Sequence, residues 1–233
     1  MSALYELASG VVRRIYDRRI DTPSVLDAAR YFPNARLYLE HWQELRAEAL
    51  RIAGDLPHVP RFHEIMQAQA DISANDGREW RMFIVKAYGV GIGKNLQRCP
   101  RLQQLLAQTP EVSTACLSFV APHKHIPTHR GPFRGILRFH LGLSVPLAAD
   151  GKPGTVLHID GVPHRIGDGD SLLWDDTFPH ELRNEADQVR IALLLDVRRP
   201  NMPLDMRLLS GLLMQGAAAL IRLRRGRTPY SLG

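Results

Sequence analysis

Leu137-Arg138-Phe139-His140-Leu141-Gly142-Leu143 alternates with a period of two. Successive side chains of a strand point to opposite faces, so Leu137, Phe139, Leu141 and Leu143 share one face and Arg138 and His140 the other. One face is wholly apolar, and the other carries a cation and an imidazole. Such a strand is expected to pack a hydrophobic core on one side and to line a polar cavity inside a barrel on the other.

Around this strand, from Ser113 onward, short strand-like runs alternate with Gly and Pro turns, the grammar of a small barrel or sandwich. Residues 155–159 and 162–166 flank Asp160-Gly161, a hairpin signal. Residues 171–174 follow Asp168-Gly169, and 191–197 (IALLLDV) read as a buried strand stopped by Pro200 and Pro203. Upstream the pattern is helical. Leu4, Leu7, Val11, Val12 and Ile15 recur at helical spacing, and residues 37–53 put Leu39, Trp42, Leu45, Ala49 and Ile52 on one face. A further short helix is expected over 63–74, a strand over 80–88 and a helix over 102–107. The fold class is α+β with a mainly β core. It divides into a helical region at 1–75, the β core at 76–203, and an amphipathic helix with a basic tail at 204–233. In that last part Leu208, Leu209, Leu212, Leu213, Leu220 and Ile221 fall mostly on one face, ahead of Arg222, Arg224, Arg225 and Arg227. The simplest reading is a helix capping the barrel or a dimer interface; the sharper one is a peripheral anchor on anionic lipid.

Composition narrows the function classes. Of 233 residues 45% are apolar and 23% charged, which excludes a mainly disordered chain. Net charge is +6, and 26 of the 30 cations are arginine, a bias toward bidentate recognition of carboxylates or phosphates. The arginines are spread along the chain, so no nucleic-acid partner is expected. Cys99 and Cys116 make neither a disulfide framework nor a zinc site, and a reducing cytosol is the default. Residues 1–20 lack an apolar signal core, and the run 208–221 is broken by Ser210, Gln215 and two glycines, short of the roughly 18–20 apolar residues of a membrane span. A cytoplasmic protein is expected, at most peripheral on the inner membrane face.

The histidines carry the chemical signal. Three lie in Pro122-His123-Lys124-His125-Ile126-Pro127-Thr128-His129, a fourth is His140, and His180 closes Asp175-Asp176-Thr177-Phe178-Pro179-His180. Non-haem iron needs neutral imidazoles on a rigid scaffold with coordination positions left open. Two histidines on sequence-distant strands meet that need when a barrel brings the strands together. Arg190 opens an apolar strand ten residues beyond His180, and a buried cation there calls for an anion such as the far carboxylate of a dicarboxylate. Taken singly, each histidine is more simply a hydrogen-bonded structural residue. Asp175 and Asp176 read as turn and supporting hydrogen-bond residues, Trp42, Trp80 and Trp174 as core, and the two cysteines as buried thiols.

Together, Leu117-Ser118-Phe119, then Ile126 to Pro132 (IPTHRGP), then 137–146 (LRFHLGLSVP), resemble the aspartyl/asparaginyl β-hydroxylase family. So do 169–181 (GDSLLWDDTFPHE) and 190–196 (RIALLLD), with Trp80, Phe83, Asn95 and Cys99-Pro100 as a lead-in. The likeness extends over residues 31–200. It implies an Fe(II)- and 2-oxoglutarate-dependent dioxygenase on a double-stranded β-helix, a jelly-roll or cupin-like fold. Carried over by position, His129 and His180 are the iron ligands. Ser118 and Arg190 hold the distal carboxylate of 2-oxoglutarate, and Arg138 and His140 stand beside its chelating end and the substrate. His125 lies near the site mouth, where a substrate contact is one expectation. Many related oxygenases carry an acidic ligand two positions after the first histidine; Gly131 stands there, as in this family, where water takes its place. The implied reaction converts 2-oxoglutarate and O₂ to succinate and CO₂ while hydroxylating an unactivated C–H bond. The first expectation for the substrate is a small or peptide-bound amino acid derivative, with a lipid A acyl chain as the alternative. Ile136, where animal members carry a further arginine, argues against an acidic aspartyl side chain. A non-catalytic cupin-like metal-binding module remains the other class, although a closed metal site has no use for Arg138, His140 and Arg190.

Overall fold

The computed structural model describes residues 3–223. α1 (Ala3–Asp17), β1 (Val25–Leu26), α2 (Ala28–Tyr31), α3 (Ala35–Glu40), α4 (Trp42–Ala53) and α5 (Phe62–Ile65) precede the first long strand, β2 (Trp80–Ala87). β3 (Val90–Gly91), α6 (Gly93–Arg98) and α7 (Pro100–Gln108) follow it. The β core then runs β4 (Val112–Val120), β5 (His125–His129), β6 (Ile136–Ser144), β7 (Thr155–Ile159), β8 (Val162–Arg165), β9 (Ser171–Trp174), β10 (His180–Asn184) and β11 (Arg190–Arg198), and α8 (Leu204–Leu223) comes last.

Two antiparallel sheets result, ordered β1-β9-β6-β11-β4-β2-β3 and β5-β10-β7-β8. From β4 to β11 the chain passes back and forth between them, with the β7–β8 hairpin as its one turn within a sheet. That path is the double-stranded β-helix of jelly rolls and cupins. Asp160 and Gly161 close the hairpin with φ of 52° and 81°, the pair of positive values a type I′ turn demands.

The larger sheet puts its main core on its outer side. Leu137, Phe139, Leu141 and Leu143 are fully buried there against Tyr38, Leu45 and Ile52 of the helical layer. Burying each such side chain contributes about 1.5–3 kcal/mol, so the helices hold the sheet rigid and leave its inner face to other residues. Glu48 of α4, itself buried, locks α7 in place: its carboxylate accepts from the amides of Arg101 (2.6 Å) and Leu102 (3.1 Å). These are otherwise unpaired donors of the first turn of α7.

Some local expectations give way to packing. The helix read over 37–53 breaks at His41 (φ −110°, ψ 16°) into α3 and α4. Tyr38 turns inward to bond Thr109 (2.6 Å) and pack on Phe139, while α4 sets Leu45, Ala49 and Ile52 in the core. Residues 63–74 form α5 and a 3₁₀ segment (Gln67–Ile72) rather than one helix.

The terminal helix packs differently from its leucine pattern. α8 buries Met206, Ser210, Met214, Ala218 and Ile221 and leaves Leu204, Leu208, Leu212, Leu213, Leu220 and Leu223 exposed. By length and composition α8 is apolar enough to cross a membrane, despite the interruptions in its sequence. Arg224, Arg225 and Arg227 of the expected tail lie outside the described residues.

Candidate active site

β5 and β10 are neighbours in the smaller sheet, and their register sets His129 directly opposite His180. Two residues 51 positions apart thereby become a cross-strand pair, with ring centroids 4.1 Å apart and planes inclined at 57°. Each Nδ1 lies 2.9 Å from the carbonyl two residues before it, Pro127 for His129 and Phe178 for His180. A carbonyl only accepts, so each Nδ1 carries the hydrogen and each Nε2 keeps a free lone pair. Burial brings His129 down to about 4 and His180 well below the usual range, the neighbouring His129 adding to the effect. Both rings are neutral at pH 7. Trp174 sets its indole edge-on to His180 at 4.5 Å and fixes the ring from behind.

Gly131, two residues after His129, has no space for a side chain. A Cβ there would lie 2.2 Å from Asp176 Oδ1 and 2.4 Å from Asp176 Cγ. The carboxyl of Asp176, only 2% exposed, stands where a side chain at 131 would go. Burial pushes this carboxyl up to about 7 although Arg138 Nη2 lies 3.2 Å away, and its Oδ1 has no hydrogen-bond partner. Its neighbour does the turn work expected of both aspartates. Asp175 accepts from Thr177 N and Oγ1 (3.1 and 2.6 Å), and from Arg134 (2.9 Å) and Arg199. Asp176, read from sequence with Asp175 as a turn and supporting hydrogen-bond residue, stands instead against Gly131 in the cavity wall; the missing side chain at 131 is the signal that could have pointed to it. Among the described residues no three His, Cys, Asp or Glu side chains gather closely enough to enclose a metal. The two imidazoles are the side chains here that could offer free nitrogen lone pairs to a metal.

A small cavity of about 40 Å³ opens from this pair into the barrel, lined by Trp80, Ser118, His140, Trp174 and Arg190. Trp80 and Trp174 are core residues, as expected, and their inner faces also form its walls. Arg190, 1% exposed, is set here by the pairing of β11 with β4. It contacts His140 Nε2, its Nε has no partner, and no carboxylate pairs with it among the described residues. Desolvation lowers the guanidinium to about 9, and burial beside Arg190 holds His140 well below its ordinary value. A cation held this way is costly unless an anion arrives. Ser118 Oγ accepts from Trp80 Nε1 at 3.1 Å and keeps a lone pair and its own proton for a further contact.

A second cavity, of about 150 Å³, meets the first at His129, His180 and Arg138 and is walled by Phe62, Met66, Met82, Ile84 and Leu194. Arg138 is held at its edge by two aspartates. Its Nε and Nη2 donate to Asp196 (3.0 and 2.9 Å), and Nη2 also meets Asp176. Cys116 lines this cavity too, its thiol pushed up to about 12 by burial and hence protonated.

His125, expected near the substrate, lines neither cavity; its Nε2 pairs with Glu181 at 3.1 Å. A β-bulge explains why. His180 faces His129 but Leu182 faces Ile126, so β5 holds one residue more than β10 across that interval. The bulge spans Pro127, which has no amide to give a ladder. It reverses the alternation, and His129 turns inward with Ile126 while His125 points out.

The family model for aspartyl/asparaginyl beta-hydroxylase matches residues 39–200. The ornithine lipid ester-linked acyl 2-hydroxylase of Rhizobium tropici is 31% identical over 182 residues, 78% of this chain and 63% of that protein. Aspartate beta-hydroxylase domain-containing protein 2 of Mus musculus is 30% identical over 139 residues, 56% of this chain and 39% of that one. The human aspartyl/asparaginyl beta-hydroxylase is 28% identical over 138 residues, 57% of this chain but 17% of its own length. The chain thus spans under two thirds of each of these relatives. With the family's motif histidines facing each other across two strands of a double-stranded β-helix, this chain belongs to the aspartyl/asparaginyl beta-hydroxylase family of hydroxylases.

Proposed function

We propose that this protein is an Fe(II)- and 2-oxoglutarate-dependent hydroxylase whose substrate is an apolar chain, with a lipid acyl group as the first candidate. The observation that carries this reading is one cavity with two neutral imidazoles at its mouth and an unpaired, buried Arg190 within it. Both halves fit these groups: two free Nε2 lone pairs suit a divalent metal, and an orphaned guanidinium Nε suits a carboxylate. Iron bound with O₂ and 2-oxoglutarate supplies the oxidising power, with succinate and CO₂ as co-products.

The rest is the protein's work. His129 and His180 hold the metal, and their backbone-bonded Nδ1 atoms fix the ring orientation. Arg190 and Ser118 take the distal carboxylate, and His140 keeps the guanidinium in place without competing as an anion. Asp176 sets its carboxyl where a side chain at 131 would go, in the wall of the cavity that the imidazoles also line, available to hold a water there by hydrogen bond. Arg138, clamped between Asp176 and Asp196, orients that carboxyl.

The larger cavity argues for the substrate. Its walls are largely apolar, and its one arginine is paired with two aspartates, so an acidic side chain finds no free counter-ion. This favours a lipid chain over the amino acid derivative expected first from sequence, and the rhizobial relative is named for hydroxylating an ester-linked acyl chain. The test is anaerobic addition of Fe(II) and 2-oxoglutarate, read by the visible charge-transfer band, then succinate release with lipid extracts and with amino acids or peptides. A band that disappears in His129→Ala, and succinate release driven by lipid, are expected. Absence of the band overturns the cofactor assignment; release driven by amino acids alone overturns the substrate.

A further inference from the structure

We propose that α1 and α8 together form a docking platform for an anionic phospholipid surface, with the site mouth beside it. The platform accords with a lipid substrate but does not rest on that reading. α8 is apolar on both sides. One row, Met206, Ser210, Met214, Ala218 and Ile221, packs on the body of the protein, while Leu204, Leu208, Leu212, Leu220 and Leu223 on the other side are each more than half exposed. A helix apolar all round has a second face that something must cover. α1 lies alongside: Tyr16 Oη and Ser210 Oγ are 2.7 Å apart, and Arg19 pairs with Asp205 at 2.6 Å. It adds Leu7, Val11 and Ile15, spaced four apart and all exposed.

Charge identifies the cover. Arg14 on α1, Arg18 in the turn just after it, and Arg207 and Arg222 on α8 are exposed and form no ion pair among the described residues. Arg207 and Arg222 also line a cleft of about 480 Å³ between α8 and the β core, with Arg198 on its far wall. A second copy docked on this face about a two-fold axis would set arginine against arginine. An anionic bilayer satisfies both features, taking leucines into the acyl boundary and arginines among the phosphates. The inner row of α8 is engaged along its length, so the helix lies flat on the membrane rather than crossing it.

The platform adjoins the site. Arg13 of α1 donates to Gly131 O at 3.0 Å, and Tyr16 packs edge-on against Phe133 at 6.0 Å, both in the loop after His129. Tyr88 lines both the arginine cleft and the apolar cavity. A lipid held on the platform is therefore beside the entrance it would use.

The test is flotation of the full chain, without iron or 2-oxoglutarate, on vesicles of phosphatidylcholine alone or mixed with phosphatidylglycerol. Binding is expected only with phosphatidylglycerol, weakened by salt, and lost on an alkaline carbonate wash. Leu208→Glu with Leu212→Glu, and separately Arg14→Glu with Arg18→Glu, should each lower binding at least about tenfold while the melting temperature holds. No binding to anionic vesicles overturns the proposal, as does carbonate-resistant retention or a solution dimer that the leucine variant dissociates. The readout involves no turnover, so its failure leaves the hydroxylase reading standing, and loss of the charge-transfer band leaves the platform standing.

Discussion

Gly131→Ala tests whether Asp176 really fills the place of the absent side chain. The new methyl would lie 2.2 Å from Asp176 Oδ1, 2.4 Å from Cγ and 2.6 Å from Oδ2. Carbon contacts settle at about 3.5–4.0 Å, so the carboxyl would have to withdraw by more than about 1 Å. It has nowhere to go: Asp176 is 2% exposed, Arg138 holds Oδ2, and Asp176 O accepts the Gly131 amide at 2.6 Å. The backbone at 131 is pinned in turn by Arg13. Overpacking of this kind costs about 1–3 kcal/mol. The three nearest atoms all belong to one side chain, so Asp176→Ala should relieve the clash, and Arg138 would keep Asp196 as its partner. In a double-mutant cycle the pair should be more stable than the sum of the singles by about 1–3 kcal/mol. Urea denaturation of the metal-free protein gives the four free energies, and thermal melting should agree at about 2–4 °C per kcal/mol for a chain of this size. Costs that simply add, within about 0.3–0.5 kcal/mol, would refute the account of Gly131 as a position kept empty for Asp176.

Other outcomes follow from the same geometry. Arg190→Ala should raise the 2-oxoglutarate requirement at least about tenfold, given about 1.5–3 kcal/mol for a charge-assisted bond; an unchanged requirement removes Arg190 from the site. Arg190→Met should raise the melting temperature without co-substrate, because it deletes an uncompensated buried charge, and should abolish stabilisation by 2-oxoglutarate. A lower melting temperature contradicts this. Burial holds His129 at about 4, and His140 and His180 also well below the about 6.5 of an unfolded chain. As pH falls through 6.5 the unfolded chain takes up protons that the native rings refuse, so the metal-free protein loses up to about 1.4 kcal/mol per pH unit for each ring. Urea midpoints should fall from pH 7 to 5, less steeply in His140→Gln, and a flat profile counts against neutral buried rings. Glu48→Ala, which strips α7 of two amide acceptors, should cost about 1–2 kcal/mol in urea unfolding; no loss would show that α7 needs no such cap.

Much of this molecule is legible in the chain where one physical rule governs a stretch. The strand at 137–143 could be placed because its two faces meet opposite environments, and Asp160-Gly161 because few residues tolerate two positive φ angles in succession. The two-residue strands β1 and β3 are too short to carry a period. α8 is misread for the opposite reason: with apolar residues all round, no spacing tells the packed row from the free one. Only the partners do, Tyr16 and the Gly135 turn accepting Ser210 in the row that the leucines seemed destined to fill.

The site itself turns on a matter of parity. In an unbroken strand His125, Pro127 and His129 would share one face, and both histidines would look into the barrel. The register instead runs His129 to His180 and Ile126 to Leu182, which requires one extra residue in β5. That extra residue lets Ile126 fill the core between the sheets while His129 still faces the barrel, and it sends His125 out to Glu181. Parity also separates the roles of the two aspartates ahead of His180: Asp175 anchors Arg134 and Arg199 behind the strand, and Asp176, one residue on, turns toward Gly131. Residue types and spacing name the candidates for the chemistry, but which of two adjacent or alternate residues enters the cavity is decided by a single added residue, and only the partner strand reveals it.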